Sequence, residues 1–125
     1  MNDRPYRILI TGSRDWDDYD LIHAALTFAC FQQVPAVIVH GACPTGADAL
    51  ASRWVHRHRA IGLSEELHPA MWRWHGRAAG PRRNAHMVHL GADITLAFIR
   101  NRSRGATGCA DLAEAAGIPV KRWTV

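Results

Sequence analysis

Three short glycine-containing turns, each directly after an apolar run, hold the residues whose types and spacing could do chemistry. They are Thr11-Gly12-Ser13-Arg14, His40-Gly41-Ala42-Cys43-Pro44-Thr45-Gly46-Ala47-Asp48 and Ser103-Arg104-Gly105-Ala106-Thr107. A strand that runs through a glycine turn into a helix leaves backbone N–H groups open, and the helix N-terminus adds positive potential. Such a pocket suits phosphate. Three of them in one chain of 125 residues predict a ligand of nucleotide size rather than a single anion.

In the first turn Gly12 permits close backbone approach, Ser13 offers a hydroxyl and Arg14 can reach an anion. The alternative is a tight turn with a surface arginine. In the second, Gly41 and Gly46 bracket the loop and Asp48 lies three residues past Thr45. Thr-x-x-Asp is a capping box, with both side chains on helix N–H groups; it also places Asp48 where a carboxylate could accept from ribose hydroxyls. A further group, Gly80-Pro81-Arg82-Arg83-Asn84, puts Arg82 and Arg83 in a helix's first turn, where the dipole opposes cations. A local rule broken in this way points to a site. Ser103, Gly105 and Thr107 fit a phosphate nest at the start of the last helix, or a plain loop with an N-cap. The candidate binding set is therefore Gly12, Ser13, Arg14, Gly41, Gly46, Asp48, Arg82, Arg83, Asn84, Ser103, Gly105 and Thr107, with Asp48 and Arg83 as candidate catalytic residues.

Other residues are less telling. Trp16, Trp72 and Trp74 fall in loops, where an indole could stack on a base or pack over the sheet end. His40 ends a strand beside the second turn, where a structural role is the simpler reading, and Cys43 lies within that turn. His56 and His58 face different sides of a helix, which is poor metal geometry, so no metal and no cofactor are expected. Neither the G-x-G-x-x-G dinucleotide fingerprint nor a phosphate-loop lysine is present.

The elements that must position these residues follow from apolar periodicity. Strands are expected at Arg7–Thr11, Ala36–His40, Glu65–His68 (weak), Asp93–Phe98 and from Ile118 towards Trp123. Helices are expected from Tyr19 to about Gln32 with Asp18 as cap, from Thr45 onward, from Pro81 to Gly91, and from Thr107 or a neighbour to Gly117. Met87, Val88 and Leu90 should face inward, and Pro69–Gly80 reads as a Trp-rich loop. Alternation of this kind predicts an α/β Rossmann-like domain over residues 1–125, with a mainly parallel five-stranded sheet and helices on both faces. Right-handed crossovers then bring every strand-to-helix turn to one sheet edge.

Composition bounds the rest. Apolar content of 48% with 21% charged residues fits a globular domain, and no run approaches membrane-helix length. The polar start and three cysteines without metal spacing predict a cytoplasmic protein with reduced thiols. Of fifteen basic residues only Lys121 is lysine; arginine favours phosphate and base contacts, unless the bias is genomic. The arginines are spread along the chain, which argues against nucleic acid as partner. Apolar residues on the first and third of these helices could form a homodimer face.

Together the pieces resemble the YspA-like branch of the SLOG superfamily. The resemblance rests on Gly12-Ser13-Arg14 with Trp16, His40-Gly41 with Gly46-Ala47-Asp48 and Leu50-Ala51, Ala79-Gly80-Pro81 with Arg83-Asn84 and Met87, Ser103-Arg104-Gly105, and Gly117-Ile118-Pro119-Val120. It implies a Rossmann-like domain that binds a nucleotide or nucleotide-derived molecule. The related LOG-type phosphoribohydrolases release a base from a nucleoside monophosphate, and Arg83-Asn84 with Met87 is similar to one of their motifs. Their second motif is altered: Asn101-Arg102-Ser103-Arg104 replaces paired glycines, and the position of the glutamate is Cys109, with Asp111 two residues on. Glycosidic cleavage needs a carboxylate beside the ribose. The resemblance therefore implies a binding or sensing domain, with an N-glycosidase or related nucleotide hydrolase as the alternative and Asp48 as the substitute carboxylate.

Overall fold

A computed structural model describes residues 4–59 and 62–125. The chain alternates β1 (Tyr6–Gly12), α1 (Tyr19–Cys30), β2 (Ala36–His40), α2 (Gly46–Arg57), β3 (Leu63–Leu67), α3 (Trp72–His75), a 3-10 turn (Gly76–Ala78), α4 (Ala79–Leu90), β4 (Ile94–Ile99), α5 (Arg104–Ala115) and β5 (Val120–Thr124). One sheet holds all five strands in the order β3-β2-β1-β4-β5. Every pairing is parallel, with Ile8 opposite Ile38 and Ile94, and Phe98 opposite Trp123. The α/β Rossmann-like expectation is correct, and the sheet is wholly rather than mainly parallel.

Strand alternation divides the core. Ile8 and Ile10 project to the face covered by α1 and α2, where they meet Ile22, Leu26, Ala51 and Trp54. Leu9, Val37 and Val39 project to the other face, against Met87 and Val88 of α4 and Cys109 and Ala113 of α5. Burial on both faces explains why β2 reads as an unbroken apolar run.

The boundaries differ from the sequence expectation where a local interaction overrides periodicity. α1 stops at Cys30, and Gln32 has a left-handed φ of 59°. β3 begins at Leu63, two residues early, because its register continues to Ala36 opposite Leu63. The Trp-rich segment is not all loop: it holds α3 and the 3-10 turn and feeds directly into α4, which starts at Ala79 rather than Pro81. Ser103, not Thr107, caps α5, since its Oγ accepts from the Ala106 N–H at 3.4 Å. Leu90 is exposed rather than inward, at the last position of α4 before Gly91 turns at φ 87°. Exposed aromatic surface lies at the end of α1, in Phe28 and Phe31. No helix among the described residues is long and apolar enough to cross a membrane.

A polar cluster joins elements that the apolar layers leave separate. Arg7 donates to both Glu66 oxygens at 3.0 and 2.9 Å, and its Nε donates to the Gly91 carbonyl at 2.9 Å. β1, β3 and the turn after α4 are thus tied through one guanidinium. The paired Arg7 and the His68 hydrogen bond hold the Glu66 carboxyl at about 2, below its ordinary 4.5. A depressed folded value adds stability above the unfolded value, lost as pH falls through the folded one. The stability of the wild type therefore drops between about pH 4.5 and pH 2 by more than that of Glu66→Gln, as read from urea midpoints across that range.

Candidate functional site

The strand order reverses between β1 and β4: β2 and β3 lie on one side of β1, and β5 lies beyond β4. In an open parallel sheet a crevice forms at the carboxyl ends of the strands at such a reversal. A cleft of about 1520 Å³ lies there. The turn after β1, the loop after β2, the start of α4 and the start of α5 all line it, so turns far apart in sequence do meet at one rim.

The turn after β1 is held from several sides. The Ser13 N–H donates to the Phe98 carbonyl at 2.9 Å, its Oγ donates to the Arg100 carbonyl at 3.2 Å, and the Arg100 N–H donates back to Oγ at 2.7 Å. The Ser13 hydroxyl is thus engaged in joining two loops, not open to a ligand. Arg14, the next residue, lies 5.3 Å from the Trp72 ring centre, and both line the cleft. Trp16 is buried against Phe98 and Trp74 is 74% exposed outside the cleft, so one of the three tryptophans in question reaches it.

The loop after β2 differs from the expected phosphate nest. The carboxylate of Asp48 lies inside it, accepting from the Cys43 N–H at 3.3 Å and also held by the Gly41 N–H. The Ala42 N–H donates to His40 Nδ1 at 3.0 Å, which leaves Nε2 of that buried ring to donate to Glu65. The loop therefore carries its own anion. The capping box fails for the same reason: Thr45 makes no side-chain cap bond, and Asp48 turns back to the loop instead of to the helix. Burial raises the Asp48 pKa above its ordinary 3.8, against the opposing pull of His40, Arg83 and the two loop N–H groups.

Arg83 packs across this loop. Its Nη1 donates to the Gly41 carbonyl at 2.7 Å and its Nε to Asn84 Oδ1 at 2.6 Å. A side chain at Gly41 would collide with the guanidinium. Arg83 and buried Asn84 both line the cleft, while Arg82 is exposed and does not.

The start of α5 is the open end of the rim. Ser103 caps it, and the next amides, those of Arg104 and Gly105, have no hydrogen-bond partner among the described residues. Nothing would lie within 4 Å of a Cβ at Gly105, so the backbone there is accessible from the cleft. Of the twelve candidate binding residues, nine line the cleft; Gly46, Arg82 and Thr107 do not. Gly46 instead packs its backbone on Ser13 and Arg14, and Thr107 donates its N–H to the Ser103 carbonyl.

Arg100 and Leu112, which the sequence reasoning passed over, also line the cleft, as do Asn101 and Asp111, named above in the comparison with the phosphoribohydrolase motif. Positive φ at non-glycine residues marks part of this region: Ala42 (56°), Asn101 (53°) and Arg102 (53°) lie in the two loops beside the cleft. Such backbone is costly and gathers at sites. Sequence alone gives no sign of it, because none of the three is a glycine.

A Rossmann-like domain with its cleft at the sheet's reversal point is the class that this geometry defines. The family described as YspA, cpYpsA-related SLOG matches residues 6–75, more than half of the chain, and the chain belongs to that family. It is 44% identical over 117 residues, covering 91% of this chain and 93% of the other, to the Gene 61 protein of Mycobacterium phage D29. No solved structure matches it significantly.

The rim's packing makes a sharp distinction between two glycines. Gly46 has φ 73°, and a Cβ there would overlap the Ser13 carbonyl oxygen and the Arg14 backbone. Gly46→Ala therefore loses about 2 kcal/mol or more of unfolding free energy in urea titrations. Gly105→Ala, with open space around it, changes stability by less than about 0.5 kcal/mol.

Proposed function

We propose that the chain binds a nucleotide or nucleotide-derived ligand in the cleft. The observation that carries this reading is the open start of α5. Two unpartnered amides at a capped N-terminus, beside a glycine that leaves them accessible, suit a phosphate group. Arg14 and Arg83 supply positive charge on the opposite rim. Buried Asn84 offers an amide to a ribose, and Trp72, which is 49% exposed at the mouth, offers a ring to a base. The altered loop after β2 fits the same picture: Asp48 fills it, so the phosphates belong at the α5 side.

Isothermal calorimetry with a panel of nucleoside phosphates tests this. The wild type binds at least one member. Gly105→Asp, which places a carboxylate at the helix N-terminus, weakens that binding by about tenfold or more, and Arg83→Ala weakens it similarly. Wild-type protein that ignores the whole panel overturns the reading.

A hydrolytic function is the second reading, carried by one observation. Asp48 lines the cleft, and its carboxyl is raised by burial, a property suited to a general acid beside a glycosidic bond. The corresponding reaction is release of a base from a nucleoside monophosphate. Chromatography of nucleotide incubations checks it: base appears with the wild type and not with Asp48→Asn. Absence of turnover across the common nucleoside monophosphates leaves binding alone.

A further inference from the structure

From Glu66 to Asp93 the sequence contains no carboxylate between those two, yet it carries four arginines, four histidines and two tryptophans. The fold turns that run into a surface. Residues 71–78, comprising α3 and the 3-10 turn, are all exposed. They include Trp72 at 49% and Trp74 at 74% exposure, with Arg73 beside them and Arg77 one turn on. α4 adds Arg82 and His86, four residues apart on one exposed helical stripe. The Trp72 ring lies 3.4 Å from where a Gly80 Cβ would be, which packs α3 against the start of α4 and brings their exposed residues close together.

Most of the other arginines are engaged, while Arg102 and Arg104, at the start of α5, share the unpaired state of those on this face. Arg4, Arg7, Arg100 and Arg122 each meet a carboxylate, and Arg53 and Arg57 lie over Tyr19. Arg73, Arg77 and Arg82 make no hydrogen bond or ion pair with any described residue. The acidic residues of the same sheet edge are engaged elsewhere: Asp17 with Arg100, Asp15 with Asn101, and Asp18 in capping α1.

We propose that this face, Trp72 and Trp74 interleaved with Arg73, Arg77, Arg82 and His86, is a docking surface for single-stranded nucleic acid. The match is chemical on two counts. Arginines without a carboxylate partner suit a phosphate backbone, and exposed indoles on two sides of a short helix, Trp72 towards the cleft and Trp74 away from it, each suit an unstacked base, whose π-face a duplex hides. A lipid surface fits less well: Met71, Trp72 and Trp74 are interrupted by Arg73 and His75, and α4 exposes Arg82, His86 and His89 among its apolar residues. The spread of arginines along the chain argued against nucleic acid, but the fold brings three of the unpaired ones, Arg73, Arg77 and Arg82, to adjoining elements. The proposal does not rest on what occupies the cleft, since Trp74, Arg73, Arg77 and Arg82 lie outside it.

The test is fluorescence anisotropy with a labelled twenty-nucleotide oligothymidylate at several salt concentrations. The wild type binds, and binding weakens as salt rises with a slope of about −0.7 for each phosphate neutralised. Arg73→Ala combined with Arg77→Ala reduces the magnitude of that slope, and Trp74→Ala weakens binding by about fivefold or more. All three positions are exposed, and thermal melts that match the wild type confirm that the variants fold. Failure of the single strand to bind at low salt overturns the proposal, as do a duplex of the same length binding equally well or Trp74→Ala binding as wild type. Preferential binding to phosphatidylserine vesicles over the oligonucleotide also overturns it. The cleft ligand, measured separately by calorimetry, is unaffected by Trp74→Ala, so loss of one activity is told apart from loss of the other.

Discussion

Ser13 holds the carboxyl edge of the sheet together at the cleft. β1 ends at Gly12, and the next residue uses every polar group it has. Its N–H continues the β4 pairing through Phe98, its hydroxyl exchanges two hydrogen bonds with the Arg100 backbone, and its carbonyl accepts from Trp16 and Ala47. Four segments converge on one residue: the ends of β1 and β4, the turn into α1 and the start of α2. The neighbouring glycines make this convergence possible. A Cβ at Gly12 would collide with Ala47, and one at Gly46 would collide with Ser13 itself. The cleft opens beyond this knot because the two loops it joins leave the sheet in different directions at the reversal of strand order.

Two of the glycine turns then take opposite electrostatic states. Behind β2, Asp48 occupies the loop's amides and burial raises its pKa, so that loop is closed to an outside anion unless Asp48 moves. Arg83, stretched over the loop carbonyl at Gly41, reinforces the closed form. Behind β4, Ser103 caps α5 with its own oxygen and leaves the following amides open. A carboxylate and an open helix N-terminus on the same cleft give it electrostatic polarity, negative at the β2 loop and positive at the start of α5. This asymmetry comes from one residue difference, an aspartate three positions after Thr45 with none in the corresponding part of α5.

The sheet was legible in the sequence because both its faces are covered. Ile8, Ile10, Val37, Ile38 and Val39 must all be buried, so β1 and β2 read as apolar runs and the helices between them as amphipathic stripes. What was illegible is where polar side chains turn. Thr45 and Asp48 have capping-box spacing, but the loop's amides compete for the carboxylate and hold it. Ser103 and Thr107 are chemically alike as caps, and only the geometry of the chain leaving β4 selects the first. Leu90 has the right helical phase for burial, yet α4 ends there and the sheet edge does not reach it. Ser13 lies at the cleft rim where its turn position suggests, but a hydroxyl in a turn does not reveal which backbone it will bond, here that of Arg100.

The net charge of +4 is small, but its distribution is uneven. Carboxylates lie mainly before residue 21, in the Glu65-Glu66 pair of β3 and after residue 92, and they draw the nearby arginines into ion pairs. Between Glu66 and Asp93 there is nothing to draw them, so Arg73, Arg77 and Arg82 stay solvated on the side of the cleft where α3 and α4 begin. Unpaired cations at a cleft mouth raise the local concentration of polyanions before any contact forms. Arg14 extends this field inward by lying over Trp72, the residue shared by the outer face and the cleft. The exposed face and the cleft meet at Trp72, against which Arg14 lies on the cleft side. The acid-free stretch and the closed Asp48 loop therefore bear on the two proposals separately: one leaves cations unpaired on the outer face, and the other leaves the open amides of α5 as the cleft's free donors.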